Sequence, residues 1–311
     1  MQIEEMVKVQ GVSKSYQKGK ISAIDNASLQ INKGEIFGII GPDGAGKSSL
    51  FRIIATLLLA DKGTVTIAGL DVQKSYQQIR QIIGYMPGKF SLYPDLSVAE
   101  NLQFFADMYS SSIEENYTLI QAIYDQLAPF KDRRAGKLSG GMKQKLALCC
   151  ALIHKPRLLI LDEPTTGVDP VSRKEFWAML QQLKTQHITI LVATPYMDEA
   201  TLCDRIAFMS EGKILQTNTP KQIIDAFPDQ LLAATANNRS KLLEVLKSYP
   251  GRINSYAFGE YMHLVLHRTG SEDQAATVTK VTGWLKTKGL EQVEVKDTSP
   301  TIEDCFIQLL S

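Results

Sequence analysis

The chain has 311 residues, enough for one large domain or two ordinary ones, and its 44% hydrophobic and 22% charged residues are typical of a globular protein. Its formal net charge of +1 excludes a whole-protein electrostatic reason to bind nucleic acid or an anionic membrane surface. The longest apolar runs fall far short of the ~20 residues that a membrane-spanning helix needs, so we expect no span. The acidic N-terminus shows no secretory signal. The four cysteines lack CxxC spacing, which favours reduced thiols in the cytosol over a disulfide framework or a zinc site.

The predicted elements begin with a strand, a glycine-rich turn and a helix. Residues Glu35 to Ile40 form a short apolar run of the kind found in buried strands, and Lys47 to Leu59 carry apolar residues at helical spacing. Three segments around this unit alternate between apolar and polar residues, which predicts an antiparallel β appendage. They are Met6 to Val9, Ser28 to Ile31 and Gly63 to Ala68.

Two further pairs of a helix and a strand follow within the first 220 residues. The helices are predicted at Gly141 to Ile153 and Val171 to Thr185, and the strands after them at Arg157 to Leu161 and Ile188 to Ala193. Residues near 95 to 130 are polar and helical, which indicates an inserted helical region. Buried strands that alternate with helices predict an α/β fold with a mainly parallel sheet, together with antiparallel β and helical subdomains.

The rest of the chain predicts a separate, smaller α+β domain. The segment Asn218-Thr219-Pro220 breaks the pattern, so we place a first domain at residues 1 to 222, with its helical insertion at about 90 to 155, and a second at 223 to 311. The second domain has the order strand, helix, strand, strand, helix, strand, which is typical of a ferredoxin-like arrangement. Its predicted elements are Gln230 to Thr235, Arg239 to Ser248, Ile253 to Phe258, Tyr261 to His267, Ser271 to Lys288 and Glu291 to Val295.

A phosphate-binding pattern lies between the first predicted strand and helix. GPDGAGKS, residues 41 to 48, fits G-x-x-x-x-G-K-[ST], in which backbone N–H groups curl around a phosphate chain at a helix N-terminus. Lys47 is then placed to reach the β and γ phosphates, and Ser48 to ligate Mg²⁺. We therefore expect a nucleotide site formed by Gly41, Pro42, Asp43, Gly44, Ala45, Gly46, Lys47, Ser48 and Ser49.

Two carboxylates follow a predicted buried strand in LLILDEP, residues 158 to 164. Asp162 suits a Mg²⁺ shell held from the end of a strand, and Glu163 suits polarising the water that attacks the γ phosphate. A strand that ends in Asp-Glu-Pro is also compatible with a simple exit into a turn. The P-loop elsewhere in the chain favours the catalytic interpretation.

A third segment, KLSGGMKQKLAL at residues 137 to 148, resembles the signature of ATP-binding cassette (ABC) ATPases. Its residues Ser139, Gly140 and Gly141 open a predicted helix with free N–H groups, which form a second anion site. In the family that this segment resembles, the nucleotide lies between the P-loop of one cassette and the signature of another. The resemblance therefore implies a dimer, with an identical or a different second cassette, that binds ATP and Mg²⁺.

Further segments resemble the same family. Tyr16 in VSKSY is similar to the aromatic residue that stacks on adenine, and Asp169 in GVDP to the acidic residue of the loop that communicates between the two sites. PTIEDCFIQL, residues 300 to 309, is similar to the closing helix of cassettes that serve ABC-2 type exporters, and GPDGAGK and GYMPGKFSLYPDLSVAENL most resemble YbhF-like drug exporters. The resemblance implies an ATPase subunit on the cytoplasmic face of the cell membrane that drives separate ABC-2 type permease subunits, with no nucleic acid as partner. A soluble cassette without a transport role is the alternative.

Two residues depart from the family pattern. Pro195 stands where the family has a histidine that contacts the γ phosphate, and Gly88 where it has a glutamine that helps to position Mg²⁺ and water. Neither residue has a side-chain donor or acceptor, and losing one preorganised contact of this kind commonly costs on the order of 3 kcal/mol. We therefore expect a degenerate half-site that binds ATP and hydrolyses it poorly, next to an intact signature segment. The alternative is that the site tolerates both changes because Glu163 remains.

Overall fold

The computed structural model describes residues 4–17, 19–267 and 274–310. These residues form two compact units, and the boundary between the units falls after Pro220. Each unit has its own sheets and its own buried core. Among the described residues, no helix combines the length and the apolar character that crossing a membrane requires.

The first unit contains a central sheet and a smaller antiparallel sheet. Its strands in chain order are β1 (Glu5–Tyr16), β2 (Ile21–Asn32), β3 (Ile36–Ile40), β4 (Lys62–Ile67), β5 (Leu70–Asp71), β6 (Ile83–Met86), β7 (Leu158–Asp162), β8 (Thr189–Thr194), β9 (Arg205–Ser210) and β10 (Lys213–Asn218). The central sheet has the order β10-β9-β3-β8-β7-β6, in which β10 is antiparallel to β9 and the other neighbours are parallel. Every residue of β3, β7 and β8 is buried, as expected for parallel strands covered on both faces. The predicted α/β fold with a mainly parallel sheet is confirmed.

The antiparallel sheet has the order β2-β1-β4-β5. The first two alternating segments of the sequence lie inside β1 and β2, which are longer than predicted at 12 residues each, and the third lies in β4 except for Ala68. Both strands carry register shifts and exposed positions, which interrupt the alternation that marks a strand in sequence. The inward side chains of this sheet, such as Val7 and Ile67, share one buried cluster with Phe51 and Leu191. The appendage is thus part of the same core as the central sheet.

The helices of the first unit lie between these strands, and their bounds are α1 (Lys47–Ile54), α2 (Tyr76–Ile82), α3 (Val98–Met108), α4 (Ile113–Tyr124), α5 (Gly140–Leu152) and α6 (Pro170–Thr185), followed by α7 (Pro220–Asp225) at the boundary. The inserted region contains α3, α4 and α5, and α3 begins with a capping box between Ser97 and Glu100. The prediction that the first helix reaches Leu59 is wrong. Thr56 has φ +62°, and the N–H groups of Leu57 and Leu58 turn back to the carbonyl of Arg52, which ends α1 at Ile54.

The second unit has the predicted order of strand, helix, strand, strand, helix and strand, and a final helix follows. Its elements are β11 (Gln230–Thr235), α8 (Arg239–Lys247), β12 (Arg252–Phe258), β13 (Tyr261–Leu266), α9 (Gln274–Thr287), β14 (Glu294–Asp297) and α10 (Ile302–Leu309). The sheet order is β12-β13-β11-β14, and all neighbours are antiparallel. Residues 271–273 of the helix predicted at Ser271 to Lys288 lie outside the described residues. The last strand begins three residues later than predicted, after a left-handed residue at Gln292 with φ +51°.

A fully buried carboxylate anchors α10 within the second unit. Asp304 accepts hydrogen bonds from the Tyr256 hydroxyl at 2.7 Å, from His263 Nδ1 at 2.6 Å, and from both the N–H and the hydroxyl of Thr301 at 2.7 Å. Burial alone raises the pKa of Asp304, but the donors from His263, Thr301 and Tyr256 outweigh it and hold the pKa below its ordinary value of 3.8. The ionised carboxylate therefore stabilises this unit.

Asp304→Asn is expected to destabilise the second unit by about 2 kcal/mol at pH 7, because the donors around it lose a charged acceptor. The carboxylate contributes its stability at neutral pH and loses it as the pH falls below 3.8 through the lowered pKa of the folded state, so the two proteins should converge in acid. Urea unfolding of the full chain, followed by Trp284 fluorescence in a Trp177→Phe background, measures this. Glu303→Gln, which changes the exposed neighbouring carboxylate, is the control. A loss of equal size in that control would contradict the assignment.

Candidate nucleotide-binding site

The loop between β3 and α1 has the geometry of a phosphate cradle. Gly44 and Gly46 have φ of +80° and +105°, values that residues with a side chain rarely adopt. A Cβ at Gly46 would lie 2.2 Å from the Ala23 carbonyl oxygen, and one at Gly41 only 2.0 Å from that of Met209. The glycine spacing read in the sequence thus has two physical causes, the backbone conformation and close approach to the neighbouring strands.

Lys47 points its amine back into this loop. Its Nζ donates to the carbonyl oxygens of Gly41 at 2.8 Å and Pro42 at 2.9 Å, and lies 3.3 Å from Glu163 Oε1. The side chain of Lys47 is only 3% exposed. A buried ammonium that is held by carbonyl groups and one carboxylate is placed to bind a polyanion entering the loop.

Ser48 and Asp162 meet across the site from different elements. Ser48 is in the first turn of α1, and its hydroxyl donates to Oδ1 of Asp162, the last residue of β7, at 3.0 Å. Burial, and to a smaller extent the neighbouring Glu163, raise the pKa of Asp162, while the Ser48 hydrogen bond opposes the shift. A hydroxyl and a buried carboxylate form a donor set that suits a hard divalent cation.

Glu163 follows Asp162 in a left-handed backbone conformation, with φ +53°. Its N–H donates to the Ala193 carbonyl oxygen at 2.9 Å, which fixes this residue to the end of β8. Its carboxylate is partly exposed and reaches Lys47. The strained conformation turns the side chain away from the strand and toward the loop.

An open cavity of about 260 Å³ lies over the P-loop. Its lining includes the predicted residues Tyr16 and Glu163, and the Tyr16 hydroxyl lies 3.1 Å from Ser49 Oγ. Residues from the start of β2 also line it, and the sequence analysis missed them because their pattern is that of an ordinary edge strand. The full lining is Tyr16, Ile21, Ser22, Ala23, Gly44, Ala45, Gly46, Lys47, Ser48, Ser49 and Glu163.

The predicted signature residues form a second group outside this cavity lining. Ser139 caps α5 by accepting from the Met142 N–H at 3.3 Å. Asp169 caps α6 by accepting from the Ser172 N–H at 3.0 Å, and this backbone hydrogen bond lowers the pKa of Asp169. A Cβ at Gly141 would lie 2.8 Å from Ser172 Oγ, so the two helix N-termini are packed against each other. Ser139, Gly140, Gly141 and Asp169 are thus together, and the P-loop cavity of the same chain does not include them.

Pro195 lies directly after β8, in a segment that is firmly held. The buried hydroxyl of Thr194 donates to Glu199 Oε2 at 2.6 Å and accepts from the Tyr196 N–H at 3.1 Å. Glu199 in turn accepts from Arg173 of α6. The sequence analysis did not single out Thr194, Glu199 or Arg173 as site residues. Arg173 and Glu199 come from different segments of the chain, and no sequence motif marks their contact.

Gly88 lies against the backbone of Asp162. A Cβ at this position would be 3.0 Å from the Asp162 carbonyl oxygen and 3.8 Å from Cβ of Glu163. The first contact is tighter than ordinary van der Waals packing, so a larger residue at position 88 requires a local shift of the chain. Both departures from the family pattern, at 88 and 195, therefore border the end of β7 and β8.

Comparison with known proteins agrees with this geometry. The profile of a family described as "ABC transporter" matches residues 24–166. Probable multidrug ABC transporter ATP-binding protein YbhF of Escherichia coli (strain K12) is 35% identical over 311 residues, which cover 99% of this chain and 52% of that protein. The chain thus spans about half the length of that relative. Nod factor export ATP-binding protein I of Rhizobium sp. (strain N33) is 31% identical over 303 residues, covering 96% of this chain and 95% of that protein.

A solved structure gives the same result for the fold. The dimeric, post-hydrolysis ATP-binding cassette MJ0796, bound to ADP and Pi, matches with a TM-score of 0.63 at 28% identity, over 69% of this chain and 98% of that chain. The phosphate loop, the carboxylates at the end of β7 and this match define a P-loop ATP-binding fold. More specifically, the chain belongs to the family of ABC transporter ATP-binding proteins, and the resemblance found in the sequence is confirmed.

Asp162→Asn is expected to stabilise the nucleotide-free protein by roughly 1 kcal/mol, or about 2–4 °C in melting temperature. The amide keeps an acceptor for Ser48 and removes a buried negative charge beside Glu163. Because the pKa of Asp162 is raised in the folded state, wild-type stability should itself rise as the pH falls through that raised value, and the variant should lack this rise. Calorimetry of both proteins between pH 4 and 7 measures the effect. Asp132→Asn, at an exposed loop position, is the control, and a destabilised Asp162→Asn protein would contradict the prediction.

Proposed function

We propose that this chain is the ATP-binding motor subunit of an ABC-2 type exporter and couples ATP binding and hydrolysis to transport by separate membrane subunits. The observation that carries the proposal is the meeting of the Lys47 loop, the Ser48 and Asp162 pair, and Glu163 at one end of the central sheet. Relatives named for multidrug transport and for Nod factor export support the direction of transport. In this proposal the subunit is peripheral on the inner face of the cell membrane.

The nucleotide occupies the cavity over the P-loop, with the adenine against Tyr16 and the phosphates on Lys47. Ser48 and Asp162 would hold Mg²⁺, because a hydroxyl and a carboxylate are oxygen ligands that suit a hard divalent cation. Mg²⁺ held there would neutralise negative charge on the phosphates. The phosphates also compete with Glu163 for the Lys47 amine, which frees the Glu163 carboxylate to orient the attacking water.

Hydrolysis at this half-site is slow in our proposal. The histidine and glutamine that would contact the γ phosphate, metal and water are replaced by Pro195 and Gly88, which offer no side-chain hydrogen bond. Loss of one such contact commonly costs about a hundredfold in rate. Ser139, Gly140 and Gly141 keep free N–H groups and a cap, so this chain still completes the site of a second cassette.

The docking surface for the membrane subunits in this proposal is a set of exposed apolar side chains near the Gly88 loop. Phe90, Tyr93, Phe104 and Met108 are 41%, 47%, 39% and 52% exposed, and the rings of Tyr93 and Phe104 are 4.8 Å apart. The Lys143 amine of the signature helix lies 5.4 Å from the Phe90 ring centroid. A clustered apolar patch of this kind fits an apolar helix of a permease and links its position to α5.

The first test is steady-state Mg·ATP hydrolysis by the purified chain, with ATP binding measured on the same sample. We expect the wild-type chain to bind ATP and Lys47→Ala to lose this binding. We expect the turnover of the wild-type chain to be close to that of Lys47→Ala. Pro195→His is expected to raise turnover by up to ~100-fold by restoring one preorganised donor. Pro195→Ala, which removes the ring without adding an imidazole, should not.

The possible results separate the two parts of the proposal. Robust wild-type turnover that Glu163→Gln abolishes would mean that the site tolerates Pro195 and Gly88, and that the chain drives transport as a complete motor. Absence of ATP binding in the folded wild-type protein would overturn the proposed function itself.

A second test addresses the docking surface. In its source cells the wild-type chain is expected in the membrane fraction, and the double variant Tyr93→Ser with Phe104→Ser in the soluble fraction, with ATP binding retained. Leu59→Ser, which removes an exposed apolar side chain elsewhere in the unit, is the control. Unchanged fractionation of the double variant would count against this surface.

A further inference from the structure

A buried acid organises the segment that contains Pro195. Glu199 is 2% exposed, and one of its carboxylate oxygens accepts from the Thr194 hydroxyl at 2.6 Å. The other accepts from Arg173 Nε at 3.1 Å and lies 3.0 Å from Arg173 Nη2. Because a buried carboxylate needs such partners, the position of Thr194, directly before Pro195, depends on Arg173 through Glu199.

Arg173 makes further contacts with the same segment. Its Nη2 also donates to the two carboxylate oxygens of Asp198 at 3.3 and 3.1 Å, and its guanidinium lies 4.0 Å from the centroid of the Tyr196 ring. Only a planar, forked cation can pair with two carboxylates and stack on a ring at the same time. The contacts with Asp198, Glu199 and Tyr196 thus all depend on the planar guanidinium group of an arginine.

The other end of this connection is the group that contains the signature. Arg173 lies in the first turn of α6, next to Ser172, whose N–H is capped by Asp169. A Cβ at Gly141 would meet Ser172 Oγ at 2.8 Å, so the start of α6 is packed against the start of the signature helix. Arg173 therefore lies between two groups of residues. One group contains the signature and Asp169, which serve the site of an opposing cassette, and the other is the segment around Pro195, which borders the chain's own site.

We propose that Arg173 is a positioning residue that joins the signature and Asp169 group to the segment around Pro195, so that the two move together. This inference rests on the proposed function for its effect on ATP hydrolysis. Its structural part, the restraint on the Pro195 segment, stands independently. The restraint holds the segment through Thr194 and Glu199, without the histidine that would contact a nucleotide.

The effect on hydrolysis is measured in a Pro195→His background, where an imidazole is present to be positioned. Adding Arg173→Gln is expected to lower kcat at least tenfold and to leave the Kd for ATP within about twofold, because Arg173 does not line the nucleotide cavity. Arg173→Lys should give an intermediate kcat, since lysine keeps the charge and loses the fork. Lys174→Gln, which removes the charge from the next residue of the same helix, is the matched control. A rise in the Kd for ATP that accompanies the fall in kcat, or an equal effect of Lys174→Gln, would overturn the positioning role.

A second readout does not depend on hydrolysis. Trp177 lines a cavity of about 380 Å³ between α6 and the turn at Met197–Leu202, together with Arg173, Asp198, Glu199 and Leu202. In a Trp284→Phe background, Trp177 is the remaining tryptophan, and Arg173→Gln is expected to increase its quenching by acrylamide as the turn loosens. Arg173→Lys, expected to fold normally, should increase it less.

The two experiments distinguish the inference from the proposed function. If Pro195→His gives no turnover but Arg173→Gln increases the quenching of Trp177, the proposal of a missing histidine fails and the restraint is supported. If Pro195→His gives turnover that Arg173→Gln does not reduce, and quenching is unchanged by Arg173→Gln and Arg173→Lys, the proposed function stands and the role of Arg173 is wrong.

Discussion

The parallel pairing of β3, β8 and β7 is the constraint on which the site depends. Ile40 pairs with Thr194, and Asp162 pairs with Ala193, so the three strands end at the same level of the sheet. Parallel strands place their carboxyl ends at one edge, and that edge carries the P-loop, the two acidic residues and Pro195. Slippage in this register would separate Ser48 from Asp162 and Glu163 from Lys47.

Two buried carboxyl groups of the protein have pKa values that are shifted in opposite directions. Asp162 has the Ser48 hydroxyl as its side-chain hydrogen-bond donor, and burial raises its pKa. Asp304 is buried as well, but three residues donate to it and its pKa is lowered. Burial raises the pKa of both carboxyls, and the hydrogen bonds donated to Asp304 reverse the sign there. A carboxylate left short of donors destabilises the free protein and attracts a cation, which is what a metal ligand requires.

Local patterns in the sequence predicted the parts of the fold that depend on local physics. The strands β3, β7 and β8 and the starts of α5 and α6 were predicted to within a residue, because buried apolar runs and helix caps leave a direct trace in the sequence. The end of α1 was not, since the left-handed Thr56 carries none of the usual stop signals. The role of Ile21 to Ala23 in the cavity, and the pairing of Arg173 with Glu199, depend on contacts between distant segments. No pattern within either segment encodes such a contact.

The two departures from the family pattern have a common structural setting. Gly88 approaches the Asp162 carbonyl closely, so its small size is used in packing, and Pro195 stands in a segment that Glu199 and Arg173 hold without help from its own side chain. The residues that would serve a second cassette keep their caps and their packing, and Arg173 connects them to this altered edge. In our proposal, a half-site built in this way responds to nucleotide and transmits its state through α6 while contributing little hydrolysis of its own, and the subunit pairs with a cassette whose own site is complete.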